Sequence, residues 1–291
     1  MSVTADFPDA ANSKLPFWRT IGLSYSFYFE HLGDALRISW LWLLIFIPLA
    51  GAGSWLQMSW FNEAVADMKS GKSPAMPIEL TIFTNASTLA ELLAGCSIAV
   101  AWHRLLLLDE HPGLSGGNII SQRLWRYVGM GIAILLIPGL PAFAVIGAIF
   151  LWTLPHATDA HGSTASGNPA IFILVLIAYL AAAFVTTRLC LLLPARAVDD
   201  TNLTFKQMWD LSRGNAWRIF WGLVACSVPP LILAQIALLL LGVYPNATAV
   251  MNGEMPVSMI VFGAIFSGYY LLTLPISIGF LSHAFRFLRQ A

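Results

Sequence analysis

The chain is built from long apolar runs separated by short polar joints. Six of these runs approach or exceed the ~20 residues that an α-helix needs to cross a bilayer. They cover about 38–57, 89–106, 127–152, 170–193, 216–242 and 257–281. Each is apolar on every face, whereas a membrane-spanning strand would alternate in polarity over ~10 residues. Helices are the expected spans, because a helix satisfies its own backbone groups inside hydrocarbon. The expected fold class is an all-α polytopic membrane protein, with six transmembrane helices joined by interfacial amphipathic helices. No joint is long enough for a soluble domain, so residues 1–291 read as one integral membrane domain.

Several joints carry their own pattern. Phe17, Ile21, Tyr25, Tyr28 and Leu32 recur at steps of three and four, an aromatic stripe on one face of an interfacial helix. Gly33 is suited to end that helix and Asp34 to cap the next. Thr204-Phe-Lys-Gln207 spells a capping box, with Phe205, Met208 and Trp209 on one face and Gly214 at the stop. Asn215 then caps the fifth span. Residues 59–70 predict a short helix on the outer surface before Gly71, and 153–169 reads as an exposed loop.

One plan recurs along the chain. Trp217-Arg218 set Arg218 eleven residues ahead of Pro229, Arg37 stands eleven ahead of Pro48, and Trp125-Arg126 set Arg126 twelve ahead of Pro138. At ~1.5 Å per residue such a spacing spans roughly 16 Å, about half of a ~30 Å hydrocarbon core. Each first span would then carry an arginine at one membrane face and a proline near the midplane. Three units follow, about 17–106, 114–194 and 203–289, each an interfacial helix plus two spans. All would share one orientation around an axis along the membrane normal. In the alternative reading, Trp-Arg and mid-helix proline are ordinary features of membrane helices and no repeat exists.

Composition strengthens the membrane reading. Hydrophobic residues make up 58% of the chain and charged ones 10%, with a mean hydropathy of +0.73. Soluble proteins carry roughly 25% charged residues. The residues before the first span include Asp6, Asp9, Lys14 and Arg19 and show no cleavage pattern, so no cleavable signal peptide is expected. Cys96, Cys190 and Cys226 all fall within spans, where they serve as packing residues. Net charge is zero, which gives no reason to expect a nucleic-acid partner. Thirteen of the 15 Lys and Arg lie on one side, and only Lys69 and Lys72 on the other. By the positive-inside rule both termini face the cytoplasm.

Candidate chemistry is sparse. Arg37, Arg104, Arg126, Arg188, Arg218 and Arg286 would ring the inner face, where arginines attract anionic lipid headgroups. Glu91 lies within a span boundary, where an ionisable group is costly. Because Thr88-Leu-Ala-Glu91 spells a capping box, it is set in the first helical turn at the outer interface. As an intramembrane group it would instead be functional, with Gln235 of the fifth span at similar depth. His156, Asp159 and His161 are loop residues without a fourth ligand, and no metal site or cofactor is expected. Asp199-Asp200 reads as a solvated turn, with a metal or a phosphate-bearing headgroup as the alternative. His103, His111 and His283 read as interfacial anchors. Pro48, Pro138, Pro229 and Pro275 each free a carbonyl inside a span. There is no Walker A sequence and no His-Glu-x-x-His.

At Arg188-Leu-Cys-Leu-Leu-Leu-Pro-Ala195, followed by Trp209-Asp-Leu-Ser-Arg-Gly-Asn-Ala-Trp-Arg218, the sequence resembles a group of bacterial inner-membrane proteins. Some relatives in that group are the membrane domain attached to glycerophosphodiester phosphodiesterases. The resemblance implies a bacterial inner membrane and a link to lipid or envelope metabolism. It carries over no catalytic residues, since the chain has no room for a phosphodiesterase barrel. The leading expectation is a non-enzymatic protein that binds, and could transport, lipid or a small amphiphilic solute. A second is an assembly or scaffold protein that packs small residues such as Gly263 and Ser267 against another membrane protein or itself. A third is a membrane-embedded lipid-modifying enzyme using Glu91 or Asp199-Asp200.

Overall fold

The computed structural model describes residues 14–112, 121–153, 169–242 and 257–290, and every regular element among them is a helix. In order these are α1 (Phe17–Glu30), α2 (Leu32–Lys69), α3 (Ile78–Leu108), α4 (Gln122–Thr153) and α5 (Pro169–Leu189). There follow α6 (Leu192–Ala197), α7 (Phe205–Leu211), α8 (Ala216–Leu240) and α9 (Val257–Gln290). Six stretches are long and apolar enough to cross a membrane, carried by α2, α3, α4, α5 with α6, α8 and α9. The chain is a multi-pass, all-α membrane protein.

Several boundaries differ from the sequence pattern, each for a local reason. The break after α1 falls at His31, not Gly33. The His31 backbone N–H donates to the Phe27 carbonyl, its ring nitrogen meets the same oxygen at 3.0 Å, and its ring stacks on Phe27. Asp34 therefore lies in the first turn of α2, where the helix dipole favours it. The short outer helix expected over 59–70 is no separate element, because α2 runs unbroken to Lys69 and ends before Gly71, whose φ is +77°. A further change concerns α3, which starts at Ile78 behind Pro77. Thr84, Asn85 and Thr88 each donate to the carbonyl four residues earlier, so these polar side chains are satisfied inside the helix. Glu91 is thus an interior helical residue, and Thr88 caps nothing.

The short helix α6 was not foreseen. Pro194 has no N–H to offer the Cys190 carbonyl, and the Leu193 N–H takes that carbonyl instead at 3.0 Å, tightening the chain into a turn. Leu191, Leu192, Ala195 and Ala197 are fully buried there, so α6 plugs one end of the bundle against α3, α4 and α9. The Thr204–Gln207 capping box forms as expected, and Gly214 takes the left-handed conformation with φ +77°.

The helices pair in a regular order along the chain. Within the units, α2 packs on α3, α4 on α5 and α8 on α9. Between them, α3 meets α4, α5 meets α8 and α9 meets α2, which closes a ring. The interfacial helices follow the same rule, α1 lying on α9 and α7 on α5. The symmetry is incomplete, for α9 also packs broadly on α3. The interfacial segment of the middle unit, read from Ser115, begins outside the described residues. The dense core sits at the end that carries the arginines. There Trp102, Phe280, Leu105, Leu124 and Ile219 are buried, while no residue of α4 from 139 to 149 or of α5 from 171 to 186 is. Lipid can cover those apolar halves, so the protein need not.

A candidate lipid-headgroup groove and an arginine clasp

The arginine-bearing end brings together side chains far apart in sequence. Leu15 is strapped across the start of α8: its N–H donates to Asn215 Oδ1 at 2.8 Å, and its carbonyl accepts from Arg218 Nη1 at 2.6 Å. Asn215 stands at the N-cap of α8 as the sequence predicts, yet its side chain holds Leu15 and makes no cap bond. This strap lays α1 against α8 and leaves an open groove of about 570 Å³ lined by Phe17, Trp18, Trp217, Arg218 and Trp221. Trp18 is 78% exposed, and Trp217 and Trp221 are also exposed, so aromatic surface faces outward beside Arg218.

The other predicted ring arginines divide into two groups. Arg104, Arg188 and Arg286 are engaged by the chain itself. Arg104 Nη1 donates to the Ala197 carbonyl at 3.1 Å and to Asp199 Oδ2 at 3.2 Å, and its Nη2 pairs with Glu110. Arg286 donates to the Leu106 carbonyl. Arg188 lies buried, with its Nε on Ser212 Oγ at 3.0 Å, its Nη2 on the Trp209 carbonyl and its plane 3.7 Å from the Trp209 ring centre. Arg37 and Arg126 remain exposed and have no partner among the described residues.

Asp199 and Asp200, read as a solvated turn, are the centre of a clasp. Asp199 adopts a left-handed backbone with φ +60° and receives Arg104 and Arg123, the latter at 2.8 Å. Asp200 receives Arg289 at 2.6 Å, and Arg196 donates to the Asp200 and Leu203 carbonyls. The turn between α6 and α7 thereby holds the ends of α3, α4 and α9. His103 and His283 are not interfacial anchors but buried residues. His103 Nδ1 lies 2.6 Å from Ser282 Oγ and Nε2 3.2 Å from the Tyr127 hydroxyl, while Ser282 donates to the Ile278 carbonyl. That assignment makes Nδ1 the donor and Nε2 the acceptor, and the chain of bonds locks α3, α4 and α9 together. His111 sits 3.5 Å from Asp34.

The proline-freed carbonyls are used differently from expectation at one site. Pro229 cannot donate to Ala225, and the Tyr25 hydroxyl of α1 donates to that carbonyl at 3.1 Å. Burial, with smaller effects from Cys226 and Tyr269, pushes the Tyr25 hydroxyl up to about 12, so it stays a donor. The small residue Gly263 faces Ser54 of α2: a Cβ there would lie 2.6 Å from the Ser54 hydroxyl. Its close approach is thus internal to the chain. Gln235 is half-buried on α8 and engaged by neighbouring groups, and Glu91 is exposed on α3 with Tyr270 of α9 within electrostatic reach.

His156, Asp159 and His161 lie outside the described residues, within which no group of His, Cys, Asp or Glu could hold a metal ion. So does Gly113-Leu-Ser-Gly-Gly117, a match to Gly-x-Ser-x-Gly. Its usual setting is a strand entering a helix. Here helix α3 precedes it, and no strand occurs among the described residues. No family model matches the chain, and no curated protein or solved structure matches it either.

Proposed function

We propose that the protein binds the phosphate-bearing headgroup of an anionic lipid at its arginine-bearing end. The observation that carries this reading is the groove of Phe17, Trp18, Trp217, Arg218 and Trp221, an arginine among exposed aromatic rings. Guanidinium donors match phosphate oxygens, and tryptophan favours the level of the headgroups. Arg37 and Arg126 lack protein partners among the described residues and supply two further cationic points at that end. The membrane is the bacterial inner membrane, with both termini cytoplasmic; the lysine and arginine bias and the family resemblance support that assignment. The scaffold reading loses its main support, since Gly263 packs against Ser54 of the same chain. The enzyme reading loses Asp199 and Asp200, whose carboxylates are paired with arginines.

Native mass spectrometry of the purified protein tests the proposal. Wild type should retain phosphatidylglycerol, and Trp217→Ala with Trp221→Ala should retain it more weakly by about fivefold or more, since each exposed aromatic contact is worth on the order of 1 kcal/mol. Equal retention by both proteins would remove the groove from the account. Arg218→Lys keeps the charge and should retain lipid better than Arg218→Gln.

A further inference from the structure

We propose that Glu91 is the anionic half of a binding site for the ammonium group of a cationic amphiphile, in the half of the bundle remote from the arginines. The continuous helix α3 sets Glu91 thirteen residues before Arg104. That is roughly 20 Å along the axis, inside a ~30 Å hydrocarbon core. Thr84, Thr88, Glu91 and Gly95 follow one another at steps of four, three and four, and so share a face of α3. The direction of that face is set by Gly95, whose Cβ would lie 3.6 Å from Leu274 of α9. One turn away, Glu91 acts electrostatically on Tyr270 of the same helix.

Glu91 is exposed, and no Lys, Arg or His among the described residues pairs with it. The two threonine hydroxyls beside it are spent on the Leu80 and Thr84 carbonyls. A carboxylate at such a depth is costly unless its charge is matched, and the described residues offer no match. Tyr270, 45% exposed, sets an aromatic ring within electrostatic reach of that negative group. An aromatic face next to a carboxylate is the pairing that recognises ammonium groups. No residue of α4 from 139 to 149 or of α5 from 171 to 186 is buried, so those stretches are left to alkyl chains of the bilayer. This site is independent of the Arg218 groove and takes the opposite charge.

The test uses the full chain in dodecyl maltoside, with dodecyltrimethylammonium and dodecyl sulfate as probes, read by native mass spectrometry. Wild type should retain one dodecyltrimethylammonium, Glu91→Gln should weaken its retention by about tenfold or more, and Glu91→Asp should keep most of it. Tyr270→Leu should weaken it by about threefold or more through the lost ring. Arg218→Gln should leave it unchanged, which separates this site from the headgroup groove. Retention of the ammonium probe by Glu91→Gln at the wild-type level overturns the proposal, as does an equal loss of both probes. If Glu91→Gln fails to fold, Tyr270→Leu decides: unchanged ammonium retention in that variant sinks the site.

Discussion

Tyr25 and Pro229 show how a backbone defect in one helix is repaired by a side chain from another. The Ala225 carbonyl has lost its helical donor to proline and gained the Tyr25 hydroxyl at 3.1 Å. Tyr25→Phe should cost about 1–3 kcal/mol as a buried acceptor is left bare. In a Pro229→Ala background, where the helix can supply its own N–H, the same change should cost less, and a double-mutant cycle in thermal stability measures the difference. The hydroxyl also titrates late: its folded value of about 12 lies above the ordinary 10.0, so its contribution is complete below about 10 and fades as the pH rises through about 12. The phenolate absorbance difference between wild type and Tyr25→Phe should accordingly have its midpoint near 12. Gly222 is the counterpart in packing. A Cβ there would lie 1.9 Å from Phe280 Cζ, so Gly222→Ala must displace a fully buried ring. A loss of about 1–3 kcal/mol is expected, read as a lower unfolding temperature. At Gly263 the nearest atom is a serine hydroxyl, which can rotate away, so Gly263→Ala should cost less.

Among the elements, the α6–α7 connection does the most with the fewest residues. Its Asp199 binds Arg104 of α3 and Arg123 of α4, and its Asp200 binds Arg289 of α9. Asp199→Asn should loosen the ends of α3 and α4 together and leave the Arg289–Asp200 pair of α9 in place. Because Asp199 is 40% exposed, solvent screens the pairs, and the expected loss is only about 1 kcal/mol, smaller still at high salt. Thermal unfolding at two salt concentrations checks this: a loss that salt leaves unaltered would argue that the left-handed backbone at Asp199, and not its charge, matters there. The capping box at Thr204 and the stop at Gly214 were legible because each depends on a few adjacent residues. The clasp was not, because its arginines come from three helices far apart in the chain. In α6 the apolar letters continue the run of α5, and Pro194 alone marked the turn at Cys190.

At the scale of the molecule, the pairs α2–α3, α4–α5 and α8–α9 join into a ring whose density is uneven. The arginine-bearing end is a protein core of the ordinary kind, with a buried His103 joined to Ser282 and Tyr127. The other end leaves most side chains to the lipid. The proposed orientation predicts that a fluorescent protein fused at the C-terminus matures and that a phosphatase inserted at 73–76 is active, because that loop would lie outside the cytoplasm. A C-terminal fusion active outside the cytoplasm would overturn that orientation.

The sequence by itself determined the class and the number of long apolar spans. These depend on length and on local period, which the chain carries residue by residue. It placed Arg37, Arg126 and Arg218 at one end, and it marked Glu91 as costly. Only the tertiary structure decided what those residues face. It gave Arg218 the Leu15 carbonyl and the neighbouring Trp18, gave Arg188 the Trp209 ring, and left Arg37 and Arg126 unpartnered among the described residues. It also moved Glu91 from a helix cap to a helix interior, because α3 begins at Ile78 and its threonines bond within the helix. The physical reason is the same in each case. Hydropathy fixes where a segment sits along the membrane normal, whereas partners are fixed by rotation about that normal and by contacts between helices distant in sequence, which no local pattern records.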